Sequence, residues 1–500
     1  MNTKKHILFL ASCLAYILVV KLSGLNWLYF GVLAIADHNY WNYINWTFWK
    51  KRTVKEEVNK TMIGEWTNAI TFAVIGATLI HTFIIQPFTI PTSSMEKSML
   101  IGDYLLVSKI NYGPNVPNTP LSIPFMHNIF IGSKNTPSYT KSVQLGYNRL
   151  PGFTTVKNND IVVFNYPVDD MQDGMPFDKK THYVKRCVGI AGDSLEIRNQ
   201  KVFINGKEQP LPDRSHGQFS YIVSTKGNGF RQKFLIENEI TEVYPLHEYE
   251  FLLEAEQVSL FKEQAYIRNV DLIDSINTYR IITQGVQLNT NVLATYNGNK
   301  TENSLFLMML TDENVVKLKS MSSVTSVTKP ELLASQKGEI MFPKGNSHDW
   351  STDNYGPIFI PKAGETVQLT DDNVEMYARV ISDYEANSIE KKEDGVYINN
   401  VLSTEYTFQM NYYWMMGDNR HNSLDSRFWG FVPENHVVGK PVLNWLSIDP
   451  NKKGLDKIRW SRMFTFIHGE GEPKSYLIHF LVLLGLWNLL SRYLLKKKAA

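Results

Sequence analysis

QPFTIPTSSMEKSMLIGDYLLVSKINYG, Gln86 to Gly113, is the stretch on which the reading of this chain turns. It sets two serines, Ser93 and Ser94, after Pro91 and between strand-like runs. It also follows directly on the apolar segment WTNAITFAVIGATLIHTFII, Trp66 to Ile85, which carries no Asp, Glu, Lys or Arg. An unassisted serine hydroxyl is a poor nucleophile at neutral pH and needs a base within hydrogen-bond reach. A lysine can serve when burial disfavours its ammonium form and lowers its pKa. Lys185 has such a setting, flanked by Tyr183, Val184, Cys187 and Val188 in HYVKRCVGI (His182 to Ile190). The plainer reading of a strand lysine is a solvated edge residue.

Outward from this stretch, the apolar residues gather at the two ends of the chain. About 20 consecutive apolar residues cross a hydrocarbon core. Trp66 to Ile85 meets that description, and YLIHFLVLLGLWNLL (Tyr476 to Leu490) reads the same way. His6 to Val20 and Leu22 to Ala36 are also apolar but are interrupted by Lys21, which leaves one pass or two. Lys50, Lys51, Arg52, Lys55 and Lys60 precede the Trp66 segment, and Arg492, Lys496, Lys497 and Lys498 follow the last one. Positive flanks stay cytoplasmic, so the body from Gln86 to about Pro473 is expected on the far side of the membrane. A cleaved leader over residues 1–25 is disfavoured, because no small-residue cleavage site follows the apolar run.

A chain of 500 residues exceeds one compact core, so two folded units or one unit with a large insertion are expected. Its 43% hydrophobic content with a mean hydropathy of −0.22 describes mostly soluble material held on anchors. The net charge of +2 implies neither a nucleic-acid surface nor an acidic partner. There are two cysteines, Cys13 and Cys187; one falls in an apolar run and the other in a strand-like one, so no disulfide is expected between them. Strand signals dominate the body: IVVFNYP (Ile161 to Pro167), HYVKRCVGI, SLEIRNQKVFINGK (Ser194 to Lys207) and GVYINNV (Gly395 to Val401). Asn199-Gln200 and Asn205-Gly206 read as hairpin turns. From about Asp213 to Ser335 helix-like segments such as HEYEFLLEAEQVSLFKEQ alternate with short strands, which suggests an inserted α+β unit. There LFLMML, TDENVVKLKSM and SVTSVT predict strand, helix, strand, with Thr311 as helix N-cap and Val315 and Leu318 on one face.

Four blocks carry a family resemblance. FTIPTSSMEKSMLIGDYLLVSK resembles the serine box of the type I signal peptidases, and NDIVVFNYP their second strand box. HYVKRCVGIAGDSLEI is similar to their lysine box, and MMGDNRHNSLDSRFWGFVPENHVVGK to their final box. The resemblance implies a mainly β catalytic domain of antiparallel sheets with a Ser-Lys dyad, Ser94 as nucleophile and Lys185 as general base. It implies an oxyanion site made by the backbone N–H of Ser94 and the hydroxyl of Thr92. Ser423 is similar to the serine that orients the lysine, Asp425 and Arg427 resemble a supporting ion pair, and Gly417 and Asp418 open that loop. Phe88, Ile90, Met95, Met99, Tyr183 and Val184 are similar to pocket-lining positions, although each fits ordinary core equally well. The sequence departs from the family pattern around Ser94 and at His421. The family has Gly before the serine and Met-x-Pro-Thr after it, whereas here Ser93 precedes and Met95, Glu96, Lys97 and Ser98 follow; His421 stands where Asp is common.

The implied activity is removal of signal peptides from exported preproteins after A-x-A-like sites, through an acyl-enzyme, with no cofactor and no metal. The implied partners are those signal peptides, membrane lipid and the secretion translocon, with no nucleic acid. The place would be a bacterial cytoplasmic membrane, multi-pass, with the catalytic part outside. Expected divisions are an N-terminal anchor and basic connection over 1–65, a transmembrane helix over 66–85 and a catalytic domain over 86–212 and 336–472. The inserted α+β unit would occupy 213–335, and a last transmembrane helix with a basic tail 473–500. Two other classes compete. Ser94-Met95-Glu96-Lys97 has the S-x-x-K form of penicillin-binding and β-lactamase-like enzymes, but it lacks a downstream K-T-G and a helix to open, and STDN (Ser351 to Asn354) is a loose match to S-D-N. A non-enzymatic membrane-anchored scaffold would lose nothing on Ser94→Ala. The histidines form no metal-ligand spacing such as H-E-x-x-H.

Overall fold

The computed structural model describes residues 3–23, 29, 31–41, 62–133, 136–169, 174–226, 229–262, 264, 267–274, 277–284, 286–301, 304–330, 341–344 and 348–499. Strand-rich segments with β-branched and aromatic residues pair, without exception in the main sheets, in antiparallel fashion. The eight-stranded sheet runs, edge to edge, Ile85–Thr89, Asp103–Ser108, Val437–Ser447, Ile161–Asn165, His182–Gly189, Tyr412–Met416 and Val432–Pro433, with Thr465–Phe466 added beside Val437–Ser447. Register places Val162 opposite Lys185 and Ile161 opposite Arg186. Ile161–Asn165 and Tyr412–Met416 are buried along their whole length, which is why they read as continuous apolar runs rather than alternating ones.

A four-stranded sheet (Tyr355–Phe359, Ser194–Arg198, Lys201–Ile204, Lys207–Glu208) packs its inner face into the largest core, around Trp414, Tyr355, Phe408 and Phe431. Both predicted turns are present. Asn199, Gln200, Asn205 and Gly206 all have positive φ (48°, 76°, 52° and 79°), the left-handed backbone that tight hairpins require. Gly395–Ile398 and Val401–Leu402 form a further hairpin through Asn399 and Asn400.

Between these parts lies a separate seven-stranded sheet. Its core is Phe219–Thr225, helix Gln232–Glu237, Val243–Leu252, Ser304–Leu310, helix Asp312–Lys319 and Val324–Thr328. The spatial order Val243–Leu252, Ser304–Leu310, Phe219–Thr225, Val324–Thr328 makes this a split βαβ pattern, extended by the hairpin Ile267–Leu272 and Thr278–Gln284. Strand, helix, strand over 304–328 forms as read from sequence. Thr311 and Asn314 complete a capping box, and Val315 and Leu318 are buried. The helix expected over HEYEFLLEAEQVSLFKEQ forms only at Ala255–Lys262; the first part is strand, because Tyr249, Phe251 and Leu253 alternate inward with exposed Glu250 and Leu252.

Helices Thr3–Ser23, Met62–Phe83 and Leu477–Ala499 occupy the stretches where spans were expected, with Gly31–Ala36 between the first two. No helix among the described residues is long and apolar enough to cross a membrane, so the spanning assignment gains no support from the fold. Lys4, Lys5 and Lys21 lie in the first helix, Asn68, four threonines and His81 in the second, and Asn488, Ser491, Arg492 and three lysines in the last. Lys50, Lys51, Arg52, Lys55 and Lys60 lie outside the described residues.

Candidate active site

The helix Met62–Phe83 runs into the edge strand Ile85–Thr89, and Pro91 then turns the chain into a single 3-10 turn, Ser93–Met95. Thr92 enters that turn extended, at φ −127° and ψ 158°. Two backbone carbonyls of the turn are held from the far end of the chain: Ser94 O accepts the Asn419 N–H at 3.1 Å, and Ser93 O accepts Asn419 Nδ2 at 3.2 Å. Gly417 closes over the same turn. A Cβ there would lie 2.2 Å from Ser423 Oγ and 2.5 Å from the Ser94 carbonyl oxygen, so only glycine fits.

Lys185 lies in the middle of His182–Gly189, on the side of that strand shared with Tyr183 and Cys187. It is 4% exposed, and its Nζ donates to Ser94 Oγ at 2.6 Å. Burial pushes its pKa down to about 8, and the carboxylates of Asp425 and Asp418, which pull the other way, do not restore the ordinary value. The Tyr183 ring centroid lies 5.4 Å from Nζ.

Two buried ion pairs frame the dyad. Asp418 accepts Arg186 Nε at 2.8 Å and Nη2 at 2.5 Å, and Ser98 Oγ also bonds it. Burial alone would raise its carboxyl, yet the Arg186 charge and hydrogen bonds hold it down at about 2. Asp425 accepts Arg427 Nε and Nη2 at 2.9 and 2.8 Å and the Gly417 N–H at 3.1 Å. Burial opposes its ionisation too, but Arg427 keeps its pKa below the ordinary carboxylate value.

The remaining expected residues divide. Ser423 is buried against Gly417, but its Oγ makes no hydrogen bond to Lys185 and so does not orient it directly here. Thr92 is exposed and its side chain does not cap the turn. Phe88, Ile90, Met95, Met99 and Val184 share one apolar cluster, of which Met95 and Met99 are the fully buried floor. Tyr183 belongs to another, stacked on Tyr166 at 4.5 Å and edge-on to Trp429. Sequence reading missed Arg186 and Asn419. Arg186 could have been found: on a strand it must face away from Lys185, and a buried guanidinium requires a carboxylate. Lys97, the lysine of S-x-x-K, turns away from Ser94 to Glu239 at 3.0 Å, and the serine stands in a 3-10 turn rather than at a helix start.

A serine hydroxyl bonded to a buried lysine of lowered pKa, on antiparallel sheets, is the equipment of a serine hydrolase. Residues 63–248 and 359–446 match the family described as signal peptidase, peptidase S26, and the chain belongs to it. It is a serine peptidase that removes signal peptides, and the penicillin-binding alternative is set aside. The chain is similar to the signal peptidase I of Buchnera aphidicola subsp. Acyrthosiphon pisum, 24% identical over 378 residues, 75% of this chain and 72% of that protein. Against the signal peptidase I of Buchnera aphidicola subsp. Baizongia pistaciae it is 23% identical over 370 residues, 74% and 72% of the two chains. Signal peptidase I P of Bacillus subtilis subsp. natto is 29% identical over 166 residues, 33% of this chain and 63% of that protein.

Proposed function

We propose that Ser94 attacks the scissile carbonyl while Lys185, neutral, accepts its proton, and that the acyl-enzyme is then hydrolysed by water activated by the same lysine. The observation that carries this reading is the 2.6 Å contact between Lys185 Nζ and Ser94 Oγ in a buried setting that brings the lysine to about 8. The oxyanion would be met by the Ser94 N–H and the Thr92 hydroxyl, which has no protein partner among the described residues. Asp425 and Arg427, with Gly417, Asp418 and Ser423, hold the loop beneath the dyad.

The substrate is an extended segment with small A-x-A-like residues ahead of the cut. Two unpaired edges support this. Ile85–Thr89 pairs on one side only, with Asp103–Ser108, and His182 to Lys185 pair with Ile161–Asn165 but not with Tyr412–Met416. A peptide strand between them would gain backbone hydrogen bonds on both sides. Its small side chains would rest on Phe88, Ile90 and Val184, over the Met95 and Met99 floor.

Membrane anchoring with an extracytoplasmic catalytic part is proposed as well. Its support is the uncovered apolar surface of the terminal helices, including Trp66 at 66%, Phe72 at 65%, Leu483 at 66% and Trp487 at 69% exposed. The test of the chemistry is cleavage of a preprotein carrying an A-x-A site by wild type, Ser94→Ala and Lys185→Ala. Undiminished cleavage by either variant refutes the assignment.

A further inference from the structure

The seven-stranded unit reaches the Ser94 loop through a small set of side chains. Glu242, 9% exposed, accepts Asn419 Nδ2 on Oε2 and Asn422 Nδ2 on Oε1, each at 2.9 Å. Those asparagines bond Ser93 and Ser94 in turn: Asn419 Nδ2 to Ser93 O at 3.2 Å, Asn419 N–H to Ser94 O at 3.1 Å, and Asn422 Nδ2 to Ser93 Oγ at 3.3 Å. One carboxylate of the unit therefore fixes both groups that hold the serine turn. A second tether is Lys97 to Glu239 at 3.0 Å. Lys97 has φ 70°, a left-handed backbone that a side-chain-bearing residue keeps only when its surroundings impose it. Proline, which the family pattern places here, is locked near −65° and cannot take it. A third contact joins Thr241 Oγ1 to the buried Glu96 at 3.4 Å. A fourth joins the Ser220 N–H to His421 Nδ1 at 3.1 Å, while His421 Nε2 meets Asp353 at 2.6 Å. Ser93, Lys97 and His421 are positions where the sequence leaves the family pattern, and each is a point of contact in this set.

We infer that the seven-stranded unit is a brace for the nucleophile, with Glu242 and Glu239 as positioning residues that set the direction of Ser94 Oγ toward Lys185. The inference rests on Ser94 being the nucleophile. The strands proposed to grip the peptide, Ile85–Thr89 and His182–Gly189, are not what the brace holds, so its loss is read in kcat rather than KM.

The test uses the full chain and a preprotein-derived peptide, with kcat expressed per folded molecule. Glu242→Ala is expected to lower kcat about 10- to 100-fold with KM within about threefold of wild type. Glu242→Gln, which keeps one acceptor oxygen, recovers much of that loss. Lys97→Gly, which permits φ 70° but removes the ammonium, also lowers kcat. Charge exchange, Lys97→Glu with Glu239→Lys, restores activity relative to Lys97→Glu alone. A kcat within about twofold of wild type in both Glu242→Ala and Lys97→Gly overturns the inference, as does a rise in KM with kcat unchanged. Should Glu242→Ala not fold, Asn422→Ala removes one of its two bonds at an exposed residue, and full kcat there overturns the inference equally. Ser94→Ala separates the two ideas. Cleavage by Ser94→Ala defeats the dyad reading, whereas an inert Ser94→Ala beside fully active Glu242→Ala and Asn422→Ala defeats the brace alone.

Discussion

Lys185→Met should make the protein more stable at neutral pH while abolishing cleavage. Methionine keeps the length of the side chain and removes the ammonium from a site that is 4% exposed. Burial lowers the Lys185 pKa from 10.5 to about 8, which corresponds to about 3 kcal/mol of unfavourable charge burial. Between those two values the unfolded chain binds the extra proton and the folded one does not, so this contribution to stability rises with pH across the window. Below about pH 8 the whole penalty is present; above about 10.5 it has vanished. The variant should therefore gain about 3 kcal/mol over wild type at pH 7, about 2 at pH 9 and nothing at pH 10.5, less about 1 kcal/mol throughout for the lost bond to Ser94. Urea unfolding of both proteins at the three pH values measures this directly, because groups other than Lys185 cancel in the difference. A difference that does not change with pH would refute a buried, depressed lysine.

Three further outcomes follow from the same geometry. In wild type, kcat/KM should climb with an apparent pKa near 8, and Asp425→Asn should move that limb to lower pH, because the Asp425 charge is the largest influence raising Lys185. Gly417→Ala should cut kcat by about 100-fold with little change in secondary structure by circular dichroism, since its Cβ would drive Ser423 and the Ser94 carbonyl apart. Asp418→Asn strands Arg186 in a site where both partners are almost fully buried, and should cost about 3–5 kcal/mol in urea unfolding.

How much was legible in sequence depended on the range over which each feature is built. Hairpin turns, the N-cap at Thr311 and the strand bearing Lys185 are local, and local patterns described them. The strand Val243–Leu252 was misread because Glu and Leu, good helix formers, fill positions whose inward partners are Tyr249 and Phe251; tertiary packing overrode propensity. Ser94 and Lys185 were found through boxes that hold them, not through any signal linking the two. Arg186 with Asp418, Asn419 with Ser94 and Glu242 with Asn422 join residues from different blocks, and only the fold brings them together. The terminal helices formed where apolar runs predicted helix, yet their lysines, threonines and asparagines weaken the signal for a full span.

The slot between Ile85–Thr89 and His182 to Lys185 has a consequence for which molecules can be cut. Backbone edges recognise chain in one shape, whatever its side chains. A segment that is still helical, or packed in a folded domain, must first unravel several residues to lie there, and that unravelling is charged against its rate of cleavage. With the peptide bound as proposed, the slot would sort clients by local order, and a mature domain that folds promptly would protect its own interior from the enzyme that released it.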